Sequence, residues 1–173
     1  GLSGGIIFIA LKFVPAVFMK KLGASPYDTS IPGIFVNALT IIPAITAKEM
    51  IRYYSFASAY KTLKYKRTAI VLITIIMCLI EINFGSLLAI KEFKELFIYS
   101  TQILLPIAAK NILMSVFVFY GGVLPGVVYI GIIQIFEKCF PVLPELSWLL
   151  DGAIGIAFPI VYAMFISAPV FAT

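Results

Sequence analysis

Six apolar runs, joined by short polar links, make up almost the whole chain. They are Leu2–Met19, about Ser30 to Ala47, Thr68–Ile90, Leu96–Tyr120, Val123–Phe140 and Leu149–Ala172, here segments A to F. Each is near the ~20 residues a helix needs to cross ~30 Å of hydrocarbon. None alternates polar and apolar residues as a barrel strand does, and backbone groups in lipid need partners within their own segment, so the pattern predicts helices. Pro32, Pro43, Pro106 and Pro159 fall inside the runs and predict kinks. The predicted fold class is therefore all-α, a polytopic helical membrane protein with about six transmembrane helices. Residues 1–173 are read as one membrane domain. Segments D and E are separated only by Gly121–Gly122. Glycine reaches positive φ without penalty, which suits a tight helical hairpin; a re-entrant pair is the competing arrangement. Pro141–Trp148 reads as a stiff loop with Trp148 at interface depth.

Composition supports lipid as the solvent. Hydrophobic residues make up 62% of the chain and charged residues 12%, with a mean hydropathy of +1.08. Soluble domains have roughly 45–50% apolar and about 25% charged residues. The chain opens at Gly1 almost directly into an apolar run and stops after Phe171-Ala172-Thr173 without a polar tail, so it is expected to be a piece of a longer chain. No basic region precedes Leu2, which argues against a signal peptide.

Charge supplies the direction. Lys48, Arg52, Lys61, Lys64, Lys66 and Arg67 place six of the thirteen basic residues between segments B and C, against the lone acid Glu49. Lys and Arg concentrate in cytoplasmic loops, so Lys48–Arg67 is expected on the cytoplasmic side. Alternation then turns the A–B, C–D and E–F links outward, although Lys20 and Lys21 run against that orientation. At helical spacing Tyr53, Phe56 and Tyr60 share a stripe, while Arg52, Lys61 and Lys64 offer charge to headgroups. The stretch reads either as a helix extension with anchoring aromatics or as a docking surface for anionic lipid or a partner. The net charge of +5 suits an anionic membrane surface rather than nucleic acid.

An ionisable residue inside a span costs at least ~2.5–3.5 kcal/mol at mid-membrane. Lys12, Glu81 and Lys110 are such residues. Lys12 can snorkel to the interface. C and D are expected to be antiparallel neighbours, and counting residues from their shared link brings Glu81 and Lys110 to similar depth. The reading is a Glu81–Lys110 pair that fixes the C–D register, with Asn83 or Asn111 filling the remaining hydrogen bonds. The alternatives are a proton or solute path and no contact at all.

Catalytic motifs are missing from this segment. There is no His, and Cys78 and Cys139 form neither a CxxC pair nor a disulfide framework. HExxH, a P-loop and GxGxxG are absent, so no catalytic, cofactor-binding or metal residue is assigned. Ser115, five residues after Lys110, is too far round the helix for a good Ser–Lys dyad.

The stretch Lys110–Trp148 contains Lys110-Asn111 opening an apolar run, Gly121-Gly122, Leu124-Pro125, Tyr129, Pro141-Val142-Leu143-Pro144 and Trp148. It resembles the multi-spanning N-terminal membrane region of atypical type I signal peptidases from clostridia and related Firmicutes. Lys48–Tyr54 is similar to the end of an early span in the same proteins. In that family a serine in S-x-M-x-P beside a span and a more distant lysine do the chemistry. Neither motif occurs here, and Ile130 stands where the family carries a basic residue. The resemblance implies a bacterial plasma-membrane domain anchoring a serine endopeptidase domain at the outer face. Exported preproteins or translocation machinery would be its partners. The alternative is a small solute-binding membrane subunit, such as the vitamin-capture component of an energy-coupled importer, with a pocket built from the polar residues of D, E and F. A non-catalytic interaction or immunity-type membrane protein is a third.

Overall fold

The computed structural model describes residues 1–62 and 66–171. Helix α1 (Leu2–Phe18) leads through strand β1 (Leu22–Ala24) to α2 (Ile31–Thr62). Helices α3 (Lys66–Glu81) and α4 (Phe84–Ala89) follow, and then α5 (Phe93–Tyr99), a π turn (Ser100–Leu104) and α6 (Leu105–Gly121). The last elements are α7 (Val123–Cys139), strand β2 (Val142–Pro144) and α8 (Trp148–Phe171). The protein is all-α apart from the two short strands.

Local chemistry sets the element ends. Ser30 starts α2: its Oγ accepts from the Gly33 amide at 3.2 Å, and Pro32 in the first turn has no amide to lose. The Ser30 amide in turn donates to Asp28 Oδ1 at 2.9 Å and holds that carboxyl below the usual range. Asn37 ties the start of α2 to the end of α7 by donating to the carbonyls of Asp28 and Lys138. Gly122 alone joins α6 to α7, with φ of 73°, a conformation that favours glycine. Inside segment D, Pro106 has no N–H to give. The helix widens just before it, and the Leu105 amide bonds back to the Ser100 carbonyl.

Two boundaries differ from expectation. The Lys48–Arg67 link is helical through Thr62, because no Gly or Pro follows Pro43 and Glu49 pairs with Arg52 one turn on. Segment C breaks after Glu81. Asn83 accepts from the Ser86 amide at 3.2 Å and starts the separate α4, so α3 has only 16 residues.

Packing contacts show the helix directions. Phe117 meets Tyr129 across the α6–α7 hairpin, and Glu49 approaches Gly126 between α2 and α7. Thr74 and Glu81 of α3 meet Ser115 and Lys110 of α6. Phe8 and Lys12 of α1 meet Phe158 and Asp151 of α8. The long helices α1, α2, α3, α6, α7 and α8 thus alternate in direction along the chain. Leu22–Ala24 pairs antiparallel with Val142–Pro144, which fastens the A–B and E–F links together at one end of the bundle. The core lies between α2, α6, α7 and α8, with Ile41, Leu113, Met114, Phe117, Tyr129 and Ala163 at its centre.

Among the described residues, three helices are long and apolar enough to cross a membrane: Ile31–Lys61, Phe93–Gly121 and Trp148–Ala168. Large apolar side chains stand bare on them; Phe35 is 69% and Phe165 75% exposed. Water would penalise such surfaces and lipid does not.

Candidate functional site

One polar network crosses the apolar interior. Arg52 is fully buried, and so is Glu49 one turn before it on α2. The Arg52 guanidinium donates Nε to Glu49 Oε2 at 3.0 Å. It also donates to the Asn111 carbonyl at 3.2 Å, Asn111 Oδ1 at 2.5 Å and Ser115 Oγ at 3.1 Å. Ser115 shares a 2.8 Å hydrogen bond with Thr74, and so joins α3. At the other end of the network Asn111 Nδ2 donates to Glu81 Oε1 at 3.0 Å. Glu81 also pairs with Lys110 and with Lys48. No buried side-chain nitrogen or oxygen among the described residues lacks a partner.

Glu81 is the last residue of α3, where the helix dipole disfavours a carboxylate. Two ammonium groups and one amide compensate for that position. Because Glu81 serves three partners and Lys110 only one of them, Glu81→Gln is expected to destabilise more than Lys110→Met. A thermal-melt double-mutant cycle in detergent is expected to give a coupling of about 0.5–3 kcal/mol between them. Strict additivity would mean that the contact contributes nothing.

The residues singled out from sequence fall in different places. Glu81, Lys110 and Asn111 come together. Asn83 does not join them, because capping α4 occupies its side chain. Of the residues read as membrane-surface contacts, Tyr53, Tyr60 and Lys61 are exposed. Arg52 and Phe56 are corrected: both are buried, because the helix continues and turns that face toward α6. Lys64 lies outside the described residues. Ser115 is engaged by Arg52 and Thr74, and the Lys110 ammonium by Glu81.

Sequence reasoning missed Glu49 and Lys48 as members of the network. The one available signal was an acid three residues before an arginine in an otherwise basic stretch. It also missed a second polar cluster. Lys12 forms a 2.8 Å salt bridge with Asp151 across α1 and α8 and lies 5.0 Å from the centre of the Phe8 ring. Lys12 is thus paired where snorkelling was the expectation. Beside the pair is a cavity of about 240 Å³ that also touches Gln102, Lys110, Gln134 and Glu137.

No family model, curated protein or solved structure matches this chain. The class that the fold defines is an all-α protein with, among the described residues, three helices long and apolar enough to cross a membrane and a charged network between its helices.

Proposed function

We propose that this chain is the membrane domain of a signal-peptidase-like protein. It crosses the bilayer six times and holds a catalytic domain at the outer face for cleavage of exported proteins. One observation carries the reading: several of the residues behind the resemblance occupy framework positions. Asn111 bridges Arg52 and Glu81, Gly122 makes the α6–α7 turn, Tyr129 is 1% exposed in the core, and Val142–Pro144 forms β2. Their work is architectural, as an anchoring domain requires. The alternating helix directions and the paired A–B and E–F links support six crossings, with Lys61 and Arg67 at the cytoplasmic end.

Topology is tested first. In a Cys78→Ala/Cys139→Ala background, Ser58→Cys is expected to resist an impermeant thiol reagent in intact cells, and Lys21→Cys to react. The reverse pattern rejects the orientation. The activity is tested with the whole encoded polypeptide. It is expected to process a secretory preprotein in cells depleted of their own signal peptidase. Deletion of residues 1–173 is expected to abolish that processing. A reading frame that stops at Thr173 removes the proposal.

A further inference from the structure

The second polar cluster has no part in the anchoring reading. Its cavity of about 240 Å³ is lined by side chains from α1, α6, α7 and α8. Those helices contact one another in the order α1, α7, α6, α8 and back to α1, and the cavity lies among them. A second space of about 320 Å³ shares Lys12, Glu137 and Asp151 with it and reaches Leu143 and Pro144 of β2. The two spaces together reach toward the end of the bundle that carries the two strands.

The polar groups facing this space are not all used. The side chains of Gln102, Gln134 and Glu137 make no hydrogen bond with another described residue. Lys110 gives a hydrogen bond to Glu81, yet an ammonium has three donors. Because Glu81 is also shared with Lys48, Lys110 retains positive field on the cavity side. Glu137, on the facing helix, is exposed and within the field of Lys12 and Lys110, and its carboxylate still has open acceptor positions. Lys12 and Asp151 neutralise each other at the mouth.

The charges also balance. Among the residues lining this cavity, Lys12 and Lys110 are matched by Glu137 and Asp151. A bare cation or anion entering here would add an unbalanced charge to this set. A neutral molecule with separated charges would not. At ~30 Å³ per water the cavity has room for about eight waters, enough for a small amino acid together with several waters.

We infer that this cavity is a binding site for a small zwitterion carrying an ammonium and a carboxylate or sulfonate. The anionic group faces Lys110, the ammonium faces Glu137, and Gln102 and Gln134 take the remaining hydrogen bonds. The inference goes beyond the anchoring role and stands or falls separately from it. It also supplies the pocket that a solute-capturing membrane protein requires.

The test uses the purified chain in detergent and a panel of glycine, L-alanine, L-serine, β-alanine and taurine. Thermal melts and titration calorimetry are the readouts, with acetate and methylammonium as single-charge controls. At least one zwitterion is expected to raise the melting temperature saturably, while neither control does. Glu137→Gln is expected to leave the unliganded melt unchanged, because its carboxylate makes no hydrogen bond, and to weaken binding by about tenfold or more. Glu95→Gln, in α5 away from the cavity, is expected to change neither. The site is disproved if no panel member binds a cooperatively melting wild type, or if Glu137→Gln binds equally well. Binding of methylammonium or acetate alone as tightly as the zwitterion overturns the assigned ligand class.

Discussion

Replacing Arg52 with Met is expected to unfold the bundle more readily than any other single change in the network. The substitution keeps much of the volume but leaves the fully buried Glu49 carboxylate with no cation, and Asn111 Oδ1 and Ser115 Oγ without their donor. Removing one partner of a buried ion pair costs about 3–5 kcal/mol, because the remaining charge stays desolvated. The paired change Glu49→Met/Arg52→Met removes that stranded charge and is expected to recover most of the loss. Chemical unfolding in mixed micelles, followed by helical signal, measures both. A single variant as stable as wild type would mean that water or lipid headgroups reach Glu49, and that the network does not exclude solvent.

Gly152→Val is expected to have the second-largest effect, for a steric reason. A Cβ at Gly152 would lie 2.6 Å from the Thr101 carbonyl oxygen, a backbone atom that no rotamer change can move. That carbonyl belongs to the π turn. Its usual partner, the Leu105 amide, is bonded to Ser100, and the next residue, Pro106, has no amide. Close approach of α8 at Gly152 shelters this oxygen and lets the Cα–H group face it. A valine would push α8 from α6 along their whole contact, at about 3 kcal/mol if overpacking behaves as in other interiors. Gly152→Ala is expected to cost less, and Gly131→Ala almost nothing, since a Cβ at Gly131 meets no atom within 4 Å. Equal melting temperatures for the three variants would show that the close approach is not required.

The apolar runs made the helices legible, because a solvent without hydrogen bonds leaves a spanning chain few other conformations. Glu81 and Lys110 were legible together for a related reason: two opposite charges in adjacent hydrophobic runs need each other more than either needs a particular neighbour. Arg52 was misplaced because a basic residue just past an apolar run looks the same whether its helix stops there or continues. What distinguishes the cases is the partner, and Asn111 and Ser115 lie about sixty residues away in sequence. Asn83 failed for a local reason. An asparagine two residues before Gly85 can satisfy the backbone at once, and a cap formed within one turn wins over a long-range contact. The cavity could not be read at all, since Lys12, Gln102, Gln134, Glu137 and Asp151 carry no common spacing and meet only after four helices have packed.

Helix α2 has 32 residues, about 48 Å of rod, whereas the hydrocarbon layer is about 30 Å thick. Crossing a bilayer upright, it would project about 18 Å past the hydrocarbon as a stiff post. No glycine or proline interrupts the backbone from Ala44 to Thr62, so that post and the turn holding Glu49 and Arg52 behave as one shaft. Force applied near Tyr60 or Lys61 would therefore be carried along one continuous helix to the turn that holds Glu49 and Arg52.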